Sequence, residues 1–461
     1  MRVTLAEIAD ITGGEALGSA EPGTLVVTSF SIDSREVEPG GLFVAVRGER
    51  DGHAFVSDAL ARGASAVLVE DAPADGVPAV RVADVQDALW RLARAARSRL
   101  GDAPVVAITG STGKTSTKDL TAAALSSRYR VVASPNSFNN ELGVPLTLLG
   151  TGEDTTAVVA EIGARGPGQI AALSPIVRHT IGIVTTVGHA HTERFGSIED
   201  VAAAKGELVE ALPREGTAIL GDDHAFVDDL AARCPTAVLR VGSGPGADVR
   251  FSNVRVDAGL RPSFALETPW GRGDVHLEMR GAHQAANAAM GVAAAVVAGV
   301  TLDAAIAGVA VARGSKWRME VAPGRQGIVV VNDAYNANPA SMGAALEALA
   351  SIDVRGRRVA VLGEMAELGA TSDAAHRAAG RRAVELRIDL VVVVHSPDRR
   401  ATTALAAGVR DAGGDVVEVD DIEAALALLG AQLTPHDAVL VKASRVAGLE
   451  RVATALVGDA A

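Results

Sequence analysis

The sequence predicts an α/β protein of three consecutive units built on mostly parallel sheets. Three observations carry that reading. Short apolar runs with strand character alternate with helical patterns along the chain, as in repeated strand–helix units. The 461 residues exceed one ordinary core, and about 150 residues per domain suggests three. Near residue 105 a buried strand runs into a glycine-containing turn and then a helix, an arrangement suited to binding phosphate.

In chain order, residues 1–100 place strands at Leu25 to Val27, Leu42 to Val46 and Ala66 to Val69, then a helix from about Ala88 to Leu100. The turn residues Pro39-Gly40-Gly41, Gly63 and Asp75-Gly76 punctuate this small unit. Gly101 to Pro104 reads as a linker. Residues 101–313 carry strands at Val105 to Ile108, Thr156 to Ala160 and Thr180 to Thr186. A turn-rich patch, Gly242 to Gly246, opens alternating segments from Val249 to Met279 that predict an antiparallel excursion. Residues 314–461 start a third run, with strands at Ile328 to Val331, Val359 to Leu362, Leu390 to Val394 and Ala438 to Val441.

Hydrophobic residues make up 48% and charged residues 21%, which predicts a folded chain rather than a disordered one. Its 43 basic and 56 acidic residues leave a net charge of −13, a surface that repels nucleic acid, so a phosphate ligand must be captured by local cations and backbone dipoles. The single cysteine, Cys234, rules out an internal disulfide or a cysteine zinc site and fits a reducing cytoplasm. The first residues, with early acids and no apolar core, do not read as a signal peptide. Ala285 to Leu302 lacks charge over a membrane-length span until Leu302, but its Ala, Gly and Val with Asn287 inside favour a buried helix over membrane insertion.

The phosphate loop is Gly110-Ser111-Thr112-Gly113-Lys114-Thr115. It lacks the earlier glycine of the longer G-x-x-x-x-G-K-[ST] pattern, since Ile108 occupies that place. Glycines let backbone N–H groups approach a phosphate, the helix start adds partial positive charge, and Lys114 adds a full one. Thr115 offers a hydroxyl to an accompanying Mg²⁺. Ligands in open α/β sheets gather at the carboxyl ends of strands. Glu161 follows one such strand, and His189 and His191 follow another, positions suited to Mg²⁺. Taken singly, each is more often a surface residue or a satisfied core group, but their joint placement after strands of one sheet favours the metal. Lys205 reads as a solvated helix lysine. His283 and Asn287, four apart, share a helix face and suit either a packing hydrogen bond or a ligand. The stretch from Asn332 to Pro339 ends a strand in a dense polar cluster that suits a turn, or contacts to ribose and peptide groups.

These motifs resemble one family, the ATP-dependent Mur ligases. The similarity rests on TGSTGKTST at 109–117, DSREVEPGGLFVAVRGERDGHAF at 33–55, NNELGVPLTLL at 139–149, HAHTERFGS at 189–197, AKGEL at 204–208, NDAYNANPASM at 332–342 and VLGEMAELG at 361–369. The NDAYNANP run resembles the branch that joins D-Ala-D-Ala to UDP-MurNAc-tripeptide, and the DNPR-type motif of the diaminopimelate-adding branch is absent. The resemblance implies three domains: 1–100 for the UDP substrate, 101–313 for ATP, and a Rossmann-like 314–461 that meets nucleotide and dipeptide. It implies a cytoplasmic, monomeric enzyme of peptidoglycan synthesis that uses an acyl phosphate and releases ADP and phosphate.

By the same resemblance, Gly110 to Ser116 would wrap the ATP phosphates, with Lys114 on the β and γ oxygens. Thr115, Glu161 and His191 would attend Mg²⁺, and a carbamylated Lys205 would hold a second Mg²⁺. Asn287, Arg318 and Asp333 would contact the nucleotide, Ser34 and Arg35 the UDP end, and Tyr335 and Asn336 the incoming dipeptide. The chain departs from the family at His189, Ile162 and Ala443, where proline, methionine and glycine are usual. Because of Ala443, the VKASR segment at 441–445 is left out of the predicted site. Other readings are a related amide ligase, folylpolyglutamate synthase, or a P-loop nucleotide switch.

Overall fold

The computed structural model describes residues 1–18, 21–188, 192–222 and 224–457. Among these, the strands form a two-stranded, a five-stranded, a nine-stranded and a six-stranded sheet. The five-stranded sheet joins Leu42–Val44, Ala66–Val69 and Ala79–Arg81 in parallel, with Glu15–Leu17 antiparallel at one edge. The predicted strand near 25 is confined to Val26–Val27. It pairs outside that sheet, antiparallel to Val3–Thr4.

In the nine-stranded sheet the third strand from one edge is Val105–Thr109, whose five residues are all buried. On one side it pairs in parallel with Ala157–Glu161 and on the other with Ile181–Val184. β-Branched residues dominate these strands because both faces are covered by helices, which favours continuous apolar runs. The antiparallel excursion is present: Val249–Val256, Pro262–Thr268 and Gly271–His276 extend one end of the sheet. The apolar stretch near 285 is the helix Gln284–Val297, packed against the phosphate-loop helix Lys114–Leu125. Among the described residues no helix is long and apolar enough to cross a membrane.

The six-stranded sheet runs in the order Glu320–Pro323, Val329–Asn332, Ala438–Lys442, Arg358–Leu362, Leu390–Val394, Val416–Val419. All its pairs are parallel except the first.

The cores join these units unequally. Helix Val85–Arg99 buries Leu89, Leu92 and Ala96 in the same apolar cluster as Val105, Ala107 and Val158 of the central sheet. Buried Arg97 bolts that seam by donating to the carbonyls of Val177, Arg178 and Gly101 at 3.0 to 3.1 Å. The six-stranded sheet instead has its own cluster on each face, and among the described residues Leu260 is their only buried member from before residue 319.

Candidate active site

After strand Val105–Thr109 the chain turns through Gly110 and Gly113 at φ +147° and +83°, backbone that L side chains rarely adopt. Space makes the same demand. A Cβ on Gly110 would lie 1.9 Å from Thr185 Oγ1, and one on Gly113 2.6 Å from Asn287 Oδ1. The loop is pinned from the next strand: Ser111 N donates to Thr186 O at 2.9 Å, and Thr185 Oγ1 donates to Thr112 O at 2.5 Å. Helix Lys114–Leu125 begins immediately, and a helix leaves its first-turn N–H groups without intrahelical acceptors. These groups line a cleft of about 1220 Å³.

Lys114 Nζ donates to Gly110 O at 2.6 Å, and burial lowers its pKa against the opposing pull of Glu161. Thr115 Oγ1 donates to Glu161 Oε2 at 2.8 Å, and Asn139 Nδ2 holds Glu161 Oε1 at 2.8 Å. Lys205 is buried on helix Ile198–Glu210, not solvated. Burial first, then the nearby Lys114 charge, lowers its pKa to about 7. Asn287 accepts from Thr117 Oγ1 at 3.2 Å and donates to Gln284.

The opposite wall comes from the last unit. Arg318 Nη2 donates to Thr115 Oγ1 at 2.8 Å, and its guanidinium lies 4.3 Å above the Tyr335 ring. Among the described residues its buried Nε has no partner, a donor suited to an anion. Asp333 follows strand Val329–Asn332; Oδ1 accepts from Met319 N at 3.0 Å, and Oδ2 meets Lys442 Nζ at 2.5 Å. Tyr335 and Asn336 line the cleft, and the Tyr335 hydroxyl touches Ser137 of the central unit.

Thus Gly110 to Ser116, Glu161, Lys205, Asn287, Arg318, Asp333, Tyr335 and Asn336 share one cleft. Ser34 and Arg35 do not line it. Ser34 is buried, and Arg35 is exposed and forked onto Asp33 at 2.6 Å. The first unit's contribution to the lining is Ile32, Gln86 and Trp90. His189 and His191 lie outside the described residues.

One lysine escaped the sequence reading and a second was set aside with its segment. Lys118, buried one turn beyond Lys114, donates to Ser134 O and Asn136 O at 2.8 and 3.0 Å, fixing the loop that carries Asn139. Its spacing of four from Lys114 was the available signal. Lys442, buried at the end of its strand, binds Asp333 and Asn336 O. Ala443 does not distort the backbone there: Gly363 N still donates to Lys442 O at 3.0 Å, and Ser444 N to Glu364 O at 2.9 Å. The missing side chain of Gly363 makes the room, since a Cβ there would sit 2.9 Å from Ala443 Cβ.

Three family descriptions match in succession: "Mur ligase family, catalytic domain" over 26–97, "Mur ligase middle domain" over 108–295 and "Mur ligase, glutamate ligase domain" over 317–445. A Mycobacterium tuberculosis protein named UDP-N-acetylmuramoyl-tripeptide--D-alanyl-D-alanine ligase is 40% identical, covering 100% of this chain and 98% of its own. The chain belongs to the Mur ligase family. Among solved Mur ligases, the UDP-N-acetylmuramoylalanyl-D-glutamyl-2,6-diaminopimelate--D-alanyl-D-alanyl ligase of Acinetobacter baumannii has a TM-score of 0.84 at 28% identity, covering 98% of this chain and 97% of its own. The MurF ligase of Thermotoga maritima, solved in complex with ADP, has a TM-score of 0.77 at 29% identity, covering 94% and 98%. The expected α/β Mur ligase architecture is therefore correct.

Proposed function

We propose that this Mur ligase joins D-alanyl-D-alanine to UDP-N-acetylmuramoyl-tripeptide at the expense of ATP, giving the UDP-MurNAc-pentapeptide precursor of peptidoglycan with ADP and phosphate. One observation supports this most directly: a glycine loop with Lys114 faces Arg318, Asp333 and Tyr335 across a single cleft. Residues 1–100 would take the UDP end, with Ser34 and Arg35 there, 101–313 the ATP, and 314–461 nucleotide and dipeptide. The enzyme would act as a cytoplasmic monomer.

The tripeptide carboxylate is a poor acyl donor, so its oxygen first attacks the γ-phosphorus of ATP and ADP leaves. The dipeptide's neutral amine then attacks the acyl carbon, and phosphate departs from the tetrahedral intermediate. Lys114, the first-turn amides and Arg318 offset charge on the transferred group, so positioning and electrostatics carry the catalysis. Asp333 and Asn287 orient the nucleotide. Tyr335 and Asn336 border the dipeptide, and the closed wall keeps water from the acyl phosphate.

The residues fit Mg²⁺. Thr115 Oγ1 and Glu161 Oε2 lie 2.8 Å apart as hard oxygen donors. Among the described residues no group of three or more His, Cys, Asp or Glu could hold a metal, and Mg²⁺ bound beside phosphates needs only one or two carboxylates. His191 would join them. Mg²⁺ would supply further charge neutralisation on the phosphates. Lys205 fits carbamylation: an amine with a pKa of about 7 is neutral often enough to attack CO₂, and the resulting carbamate could hold a second Mg²⁺.

The test is phosphate release from ATP with UDP-MurNAc-tripeptide, with and without D-Ala-D-Ala, together with mass detection of the pentapeptide product. Release indifferent to the dipeptide would favour a nucleotide switch instead.

A further inference from the structure

Among the described residues three arginines line the cleft, and two are committed. Arg318 bonds Thr115 and covers Tyr335. Arg445 lies 4.1 Å over the Trp317 ring and pairs with Glu450 at 2.9 Å. Arg165 is exposed, and among the described residues its guanidinium makes no hydrogen bond, ion pair or ring contact.

Its backbone, in contrast, is held on both sides. Gly163 N donates to Asn139 O at 2.7 Å, and Arg165 N to Gln169 Oε1 at 2.7 Å. Gly168 N and Ala171 N both donate to the Glu207 carboxylate, at 2.6 and 2.9 Å. Asn139 also grips Glu161, and Glu207 lies on the helix of Lys205. The loop is thus a fixed mount, tied to the reaction centre, that presents an unpaired cation to the cleft. It follows Glu161 by four residues, at most about 14 Å of chain, and a long side chain shortens that gap.

The proposed substrate has anions to meet it. In the sequence alanyl-D-glutamyl-2,6-diaminopimelate, named for the Acinetobacter relative, the glutamyl residue is joined onward through one carboxyl and keeps the other. Diaminopimelate has two carboxyls, of which one reacts. Each spare carboxylate lies within about one residue of the reacting one. A guanidinium takes a carboxylate through two parallel N–H···O bonds, which fixes orientation as well as charge.

Building on the ligase reading above, we propose that Arg165 binds a non-reacting carboxylate of the peptide substrate, so that it positions the reacting carboxyl and makes the site selective for an acidic peptide.

The experiment measures the Kd of UDP-MurNAc-tripeptide by calorimetry, and the KM of each substrate, for the unaltered chain, Arg165→Gln and Arg165→Lys. Arg165→Gln should weaken the tripeptide nucleotide about tenfold or more while leaving the KM of ATP and of D-Ala-D-Ala unchanged, with Arg165→Lys intermediate. Two substrate arms identify the carboxylate: a tripeptide whose glutamyl carboxyl is an amide, and one with lysine replacing diaminopimelate. The arm that loses the Gln penalty names the group. An unchanged Kd in Arg165→Gln, or a penalty undiminished in both arms, would overturn the proposal. Phosphate release that ignores the dipeptide in the unaltered chain would count against the ligase reading alone, because the Kd comparison needs no turnover.

Discussion

Lys205 and His179 are both buried titratable residues, with opposite expected uses. If Lys205 works as a carbamate, Lys205→Ala should lower kcat on the order of 10³-fold, and added short-chain carboxylates should restore part of it. Rates unmoved by the substitution would remove the carbamate from the scheme. His179 is structural: Nε2 donates to Leu208 O at 2.9 Å, while Nδ1 is buried without a partner, so a second proton has no acceptor. Burial lowers its pKa from 6.5 to about 4. The unfolded chain therefore binds this proton first as pH falls. The stability contribution is intact above 6.5 and is lost between about 6.5 and 4, amounting to roughly 3 kcal/mol at about 1.36 per unit. Denaturant midpoints across that window should fall less steeply in His179→Gln than in the unaltered chain.

At the scale of elements, the strand, glycine turn and helix around 105–125 were legible because glycine and lysine leave a dense local signal. The first turn was not. Val3–Thr4 and helix Leu5–Thr12 are short, and their pairing with Val26–Val27 depends on contacts remote in sequence. Lys442 was set aside with the VKASR segment because of Ala443, and its partner is just as remote. A lysine closing a buried strand looks ordinary until Asp333, 109 residues away, is seen beside it. The burial of Lys205 was equally invisible, since alanine-rich surroundings suit an exposed helix and a buried one alike. The glycine turn gives a sharp expectation. In Gly110→Ala the new methyl meets Thr185, itself buried and bonded to the loop, so that ATP binding should be lost and the nucleotide-free protein destabilised by about 1–3 kcal/mol. ATP affinity and melting temperature read the two effects separately.

In the whole molecule, the last unit is joined to the phosphate-loop helix through Asp119, whose Oδ2 accepts from both Ser315 N and Ser315 Oγ at 2.9 and 2.7 Å. That clamp, with Arg318 on Thr115, ties the two walls of the cleft together. Asp119→Ala should loosen closure and admit water, lowering pentapeptide yield per ATP and raising dipeptide-independent phosphate release several-fold. A yield still near one per ATP would mean that the clamp is not what excludes water. Domain count and sheet type were readable from strand spacing, whereas the unequal joining of the units was not, because it depends on which apolar faces meet.

That inequality reaches beyond catalysis. Helix Val85–Arg99 packs on the central-unit helices Gly143–Leu149 and Gln169–Val177, so a fragment starting at residue 101 would leave the apolar faces of those helices uncovered and should precipitate when expressed. A fragment starting near 317 keeps apolar layers on both faces of its sheet and should remain in solution as an independent folding unit.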